Sequence, residues 1–183
     1  KTKDSVVVVY TGEGKGKTSA SIGLMARALG RGWKVAYIQF IKHWKVGEHE
    51  FIEMIQPVFG DSLLFFKGGK GFFHAGEISA QGISDNEHQQ AADETYKKAL
   101  QAANSGEYDL VVCDEINNSV HDGLLKQEDL IHLIASKSPK TSLCLTGRNF
   151  PEALLERVDI ATNMTKLRHH FDKKYLANKG IDY

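Results

Sequence analysis

Three glycines alternate with charged residues in Thr11-Gly12-Glu13-Gly14-Lys15-Gly16-Lys17-Thr18-Ser19, directly after the run Val6-Val7-Val8-Val9-Tyr10. β-branched runs of this kind suit a strand buried on both faces. Glycines then let the backbone turn sharply and aim its N–H groups at a bound anion. Lys17 is placed to reach terminal phosphates, and Thr18 offers a hydroxyl to a divalent cation. The helical pattern that follows points its positive end at the same charge. The stretch reads as a phosphate-binding loop. It is one residue short of the common G-x-x-x-x-G-K-[ST] pattern, because Thr11 stands where the first glycine belongs. The dinucleotide fingerprint G-x-G-x-x-G fits worse, since it needs glycine where Lys17 sits.

Two further constellations complete a site. Asp114-Glu115 closes the apolar run of residues 108–116, YDLVVCDEI, where a phosphate-loop protein keeps the acid that completes its Mg²⁺ site. Thr146-Gly147-Arg148 closes the run TSLCLT at residues 141–146. Arg148 is either a fork for phosphate oxygens or a surface residue, and the spacing alone leaves both readings open.

The elements that must position these groups alternate along the chain. Helical spacing through Ser21–Leu29 stops at Gly30, and Arg27 on that helix reads from spacing as a solvated charge. Lys34–Ile41 is a second strand, ending in Lys42-His43-Trp44. A short helix from Gly47-Glu48 is expected to break before Pro57, and Ser62–Phe66 is a third strand. Residues 67–76, rich in glycine and carrying Phe72, Phe73 and His74, have no periodicity. They form either a functional loop or a surface loop whose rings tuck into the core. Ser84–Asn104 is a long helix with Ser84 and Glu87 as a capping box. Tyr108–Ile116 is a fourth strand, Lys126–Lys137 a helix, Thr141–Thr146 a fifth strand and Pro151–Val158 a short helix. One more strand falls within Asp159–Leu167. Such alternation predicts an α/β fold, a predominantly parallel sheet with helices on both faces in a single domain.

Composition narrows the class. A chain of 183 residues suits one domain. Lys plus Arg (23) balances Asp plus Glu (23), so no overall field favours nucleic acid or an anionic membrane. Cys113 and Cys144 each lie in an apolar run, as expected of buried, reduced thiols. No run approaches the ~20 apolar residues that span a bilayer, and nothing at the start resembles a signal peptide. A cytoplasmic protein is expected.

With these pieces placed, the chain resembles the P-loop ATP:corrinoid adenosyltransferases, also called cob(I)alamin adenosyltransferases, nearly end to end. The resemblance rests on the shortened loop Thr11–Thr18, Ala26-Arg-Ala-Leu-Gly-Arg-Gly32, Gln39-Phe-Ile-Lys42 with Gly47-Glu48, Gly71-Phe72, Asp114-Glu115, Thr146-Gly-Arg148, Phe171-Asp172 and Gly180-Ile-Asp-Tyr183. It implies a P-loop NTPase-like, RecA-like fold. It also implies a reaction in which cobalt(I) of the corrinoid attacks the 5′ carbon of ATP and triphosphate leaves intact, with ATP held in reverse of ordinary P-loop enzymes. By position it implies that Thr11, Gly12, Glu13, Gly14, Lys15, Gly16, Lys17, Thr18, Ser19 and Arg27 bind the nucleotide. Lys17 and Arg148 then stabilise the leaving triphosphate, and Thr18, Glu115 and Asp114 serve Mg²⁺ or Mn²⁺. Phe72 and His74 lie in the loop that keeps water and the lower axial ligand from cobalt. His74 stands at the family's tryptophan position, Asn149 where Gly-Arg-Gly is frequent, and Lys174 where glycine is usual. The resemblance further implies an electron donor such as a flavoprotein, a homodimer, and a tail of about residues 168–183 folded back toward the site. A P-loop kinase or ATPase and a nucleotide-binding module without adenosyl transfer are the alternatives that the loop and acid pair alone leave open.

Overall fold

The computed structural model describes residues 1–41, 45–71 and 82–183. Strands β1 (Val7–Thr11), β2 (Val35–Gln39), β3 (Leu63–Lys67), β4 (Leu110–Asp114), β5 (Ser142–Thr146) and β6 (Ile160–Asn163) form one sheet in the order β3-β2-β4-β5-β1-β6. Every pairing is parallel. Parallel neighbours require crossovers, which α1 (Lys17–Leu29), α2 (Gly47–Phe59), α3 (Asp85–Asn104), α4 (Ile116–His121) and α5 (Gln127–Ser136) provide.

Alternate strand residues enter two separate cores. Val35, Tyr37, Leu110, Val112 and Cys144 pack with Met25, Ala28 and Leu29 of α1 and Ile52 of α2. Ala36, Ile38, Val111, Cys113, Leu143 and Leu145 pack on the other face, with Ala92, Ala99 and Ala103 of α3 and Leu130 and Leu133 of α5. Burial on both faces explains why these strands read as continuous apolar runs rather than alternating ones. Each fully buried Leu or Val here contributes roughly 1.5–3 kcal/mol.

The capping box holds as read: Ser84 Oγ accepts from Glu87 N, and the Glu87 carboxylate accepts from Ser84 N. Elsewhere the structure corrects the sequence reading. Pro57 lies inside α2 instead of ending it before that point, and the helix runs to Phe59. A proline so close to a helix end removes one hydrogen bond and stops the chain within the same turn. The segment at 151–158 is a 3-10 turn, Glu152–Arg157, after an extended Pro151. The fourth strand ends at Asp114, because Glu115 takes a left-handed conformation (φ 63°) that turns the chain straight into α4. Phe72, Phe73 and His74, and Lys42, His43 and Trp44, lie outside the described residues.

Both positions where this chain replaces an expected glycine prove to be left-handed: Asn149 has φ 55° and Lys174 has φ 63°. Asparagine tolerates that region, whereas a long side chain there costs roughly 1–2 kcal/mol. Lys174 closes a 3-10 turn, His170–Lys173. Lys174→Gly is therefore expected to raise stability by up to about 1 kcal/mol once the greater freedom of glycine in the unfolded chain is subtracted. A urea midpoint that moves down, with an unchanged slope, would contradict the strain.

Candidate active site

The phosphate loop, the acid pair and Thr146-Gly147-Arg148 meet because β1, β4 and β5 are adjacent and parallel, so their carboxyl ends share one edge. A cavity of about 420 Å³ opens there, walled by Lys15 to Ser19, Glu115, Asn118, Arg148, Gly47, Glu48 and the last four residues. Of the residues singled out from sequence, Lys15, Gly16, Lys17, Thr18, Ser19, Glu115 and Arg148 share this cavity. Thr11, Gly12 and Glu13 border a groove on the other side of the loop, shared with β6. Arg27 does not belong with them. It sits ten residues beyond Lys17 on α1, about 15 Å along the helix axis, and lines an apolar groove with Val6, Leu24 and Trp33.

Lys17 folds back over the loop, its ammonium donating to the carbonyls of Gly12 and Gly14 at 2.7 Å each. Burial lowers its pKa below the ordinary lysine value. The nearby Arg148 charge pushes the same way, and Glu13, Glu115 and Asp114 oppose it. The loop is backed by a residue that sequence reasoning missed, Met164, just past β6. Gly14 N donates to Met164 O at 2.6 Å, and Met164 N donates to Thr11 O at 2.8 Å. The Gly14 amide is thus turned to the protein and not inward toward an anion, a correction to the simple cradle. A Cβ at Gly14 would lie 2.6 Å from Met164 O, which explains glycine there. Thr11 Oγ1 accepts from Phe150 N at 3.1 Å, tying the loop to the segment after β5.

Asp114 is fully buried and accepts hydrogen bonds from three side chains. Thr146 Oγ1 donates to Oδ1 at 2.7 Å, Gln39 Nε2 to Oδ2 at 3.0 Å, and Thr18 Oγ1 to Oδ1 at 3.1 Å. Thr146 Oγ1 in turn accepts from Glu115 N at 2.9 Å, which holds the left-handed turn and sets Glu115 at the cavity. Arg148 N donates to Asn118 Oδ1 at 2.9 Å, and its guanidinium pairs with Glu13 at 3.3 Å across the loop. Both partners of that pair are more than half exposed, so it contributes at most about 1 kcal/mol. At the opposite wall Lys15 pairs with Asp182 at 2.8 Å. Asn118 and Met164 gave no signal in the sequence. Gln39 did: a buried amide at the carboxyl end of an otherwise apolar strand asks for a partner.

A phosphate loop at the carboxyl edge of a parallel sheet, with a buried acid at the end of the strand one removed from it and bonded to the loop threonine, defines a P-loop α/β protein. Flagellar accessory protein FlaH from Methanocaldococcus jannaschii has the same kind of fold. Its crystal structure matches with a TM-score of 0.56 at 15% identity, over 88% of this chain and 71% of that one. Within this class the chain belongs to the ATP:corrinoid adenosyltransferase BtuR/CobO/CobP family, whose model matches residues 3–183. Corrinoid adenosyltransferases from a Sinorhizobium species and from Pseudomonas aeruginosa are each 30% identical to it. The matches cover 97% of this chain and 80% and 83% of those proteins. The Escherichia coli K12 corrinoid adenosyltransferase is 28% identical over 97% of this chain and 85% of its own.

Proposed function

We propose that this protein transfers the 5′-deoxyadenosyl group of ATP to the cobalt of a corrinoid. The observation that carries the reading is the shortened loop with its folded-in Lys17, facing Thr18, Glu115 and Arg148 across one cavity in a chain of this family. Cobalt(I) supplies the electron pair of the new cobalt–carbon bond. The bond from C5′ to oxygen breaks, and its pair leaves on triphosphate. No proton moves in that step, so the protein needs no general base, in keeping with a cofactor that brings its own reactivity. What the chain contributes is alignment of the carbon with the metal and stabilisation of charge on the departing triphosphate. Lys17, the inward amides of the loop and Arg148 do the second.

A divalent cation fits the donor set. Thr18 gives its hydrogen to Asp114, which leaves the oxygen lone pairs for an ion, and Glu115 stands in the same cavity. Among the described residues no group of three or more His, Cys, Asp or Glu side chains could hold a metal by itself. That suits Mg²⁺ or Mn²⁺ bound by one or two protein oxygens with phosphate oxygens and water completing the shell. When bound, the ion neutralises triphosphate charge. The tail belongs to the same reading, with Gly180–Tyr183 walling the nucleotide and Asp182 steadying Lys15. Among the described residues no helix is long and apolar enough to cross a membrane. A cytoplasmic homodimer served by an electron donor completes the proposal.

Incubation with ATP, Mg²⁺ and chemically reduced cobalamin tests it: light-sensitive adenosylcobalamin and intact triphosphate are expected. ADP and phosphate without either product would identify an ATPase or kinase instead. Phe72, assigned by resemblance to shielding cobalt, gives a second check. Phe72→Ala is expected to slow turnover that starts from cobalt(II) and an electron donor more than turnover from preformed cobalt(I). Equal losses in the two assays would take Phe72 out of the reduction step.

A further inference from the structure

The buried acid is served from behind by two residues that no part of the reaction touches. Gln39 ends β2 in register with Asp114 at the end of β4, so both side chains leave the sheet on the same side. Gln39 is fully buried and His49, on the first turn of α2, is 2% exposed. The Gln39 Oε1 to His49 Nε2 distance is 2.5 Å, and the His49 ring packs on Phe65 at 5.6 Å.

The direction of this chain of hydrogen bonds follows from chemistry. Gln39 donates its NH₂ to the Asp114 carboxyl, so its carbonyl is turned toward His49 and can only accept. His49 must therefore carry a hydrogen on Nε2. The order is His49 to Gln39 to Asp114, with Thr18 and Thr146 donating to the same carboxylate. Together these bonds fix the orientation of the carboxylate, and Thr18 is the member of the set that faces the cavity. The far end of the chain is also anchored at the site, since Gly47 and Glu48, immediately before His49, form part of the cavity wall.

We propose that Gln39 is a positioning residue for the divalent-cation end of the site, held in its working orientation by His49 and acting through Asp114 on the Thr18 hydroxyl. The inference rests on the metal–nucleotide reading given above. Outer hydrogen-bond partners of this kind affect metal affinity by about 10–100-fold.

Calorimetric titration of ATP into the full chain with and without Mg²⁺, no corrinoid present, reads binding without turnover. Mg²⁺ is expected to tighten ATP binding by the unsubstituted protein. Gln39→Met, close in shape but without donor or acceptor, is expected to lose about 10–100-fold of that gain while binding ATP in the absence of metal as before. His49→Gln, which keeps an N–H toward Gln39, is expected to retain the gain, and His49→Leu to lose part of it. Urea midpoints that fall in all three variants with the Mg²⁺ gain intact would mean the chain serves folding alone, and would overturn the proposal. A Mg²⁺ effect missing from the unsubstituted protein would instead bring down the metal reading itself. If Gln39→Met fails to fold, the His49 pair decides. Ring ¹⁵N spectra of the unsubstituted chain decide independently: a His49 ring protonated on Nδ1 alone overturns the proposal.

Discussion

Lys17→Ala is expected to slow adenosyl transfer from preformed cobalt(I) by on the order of a hundredfold or more, the usual loss on removing one preorganised charge-stabilising donor. The reason lies in where the charge goes. Triphosphate leaves with an additional negative charge on the oxygen that had been bonded to carbon, inside a cavity whose described walls contain few groups able to meet it. The Lys17 ammonium is held within the loop by two carbonyls at 2.7 Å, so it needs only a small swing to exchange them for phosphate oxygens. Its pKa is lowered by burial and by Arg148, and a polyanion in the cavity would push it back up. The measurement is a single-turnover rate of adenosylcobalamin formation with triphosphate counted alongside. A rate within a few-fold of the unsubstituted protein would remove the loop from the chemistry, whatever happens to ATP affinity.

The largest structural effect is expected at Asp114. Asp114→Ala would leave the hydroxyls of Thr146 and Thr18 and the amide of Gln39 facing a void at a fully buried position. Each buried group without its partner costs about 1–3 kcal/mol, and the two most deeply placed, Thr146 and Gln39, set the scale at roughly 2–6 kcal/mol together. That is a large part of the stability of a domain of this size. The urea midpoint should fall accordingly with little change in slope. Thr146→Val isolates one arm: it removes a donor to Asp114 and the acceptor of Glu115 N, so a smaller loss is expected together with a looser Glu115. An Asp114→Ala protein as stable as its parent would show that the carboxylate is not the hub the geometry makes it.

Much of this site is local in the chain, which is why residues alone disclosed it. A valine run, spaced glycines and Lys-Thr fix a strand, a turn and a helix within a dozen positions, and the apolar run before Asp114 fixes a second strand end. The fold class follows from alternation of elements. Strand order does not, because nothing in a buried parallel strand names its neighbour; the adjacency of β1 and β5 emerges only from tertiary packing. The same limit hid Met164, whose backbone and not its side chain supports the loop, and α4, where an unusual backbone angle at Glu115 replaces any helix-starting residue type. Arg27 went astray for the opposite reason. Its neighbourhood in sequence matches a family pattern, yet a helix of 13 residues carries it to a groove apart from the cavity that Lys17 lines. Phe72 and His74 rest on the resemblance alone.

The two thiols sit on opposite sides of the sheet, Cys113 in the core against α3 and α5 and Cys144 in the core against α1. Burial pushes both far above the usual cysteine value, with the Asp114 charge adding to it. Under the proposed chemistry, which uses cobalt(I), the protein would meet powerful reductants. This framework offers them no disulfide to cleave, and its two thiols have neither the ionisation nor the access to compete for an electrophilic carbon.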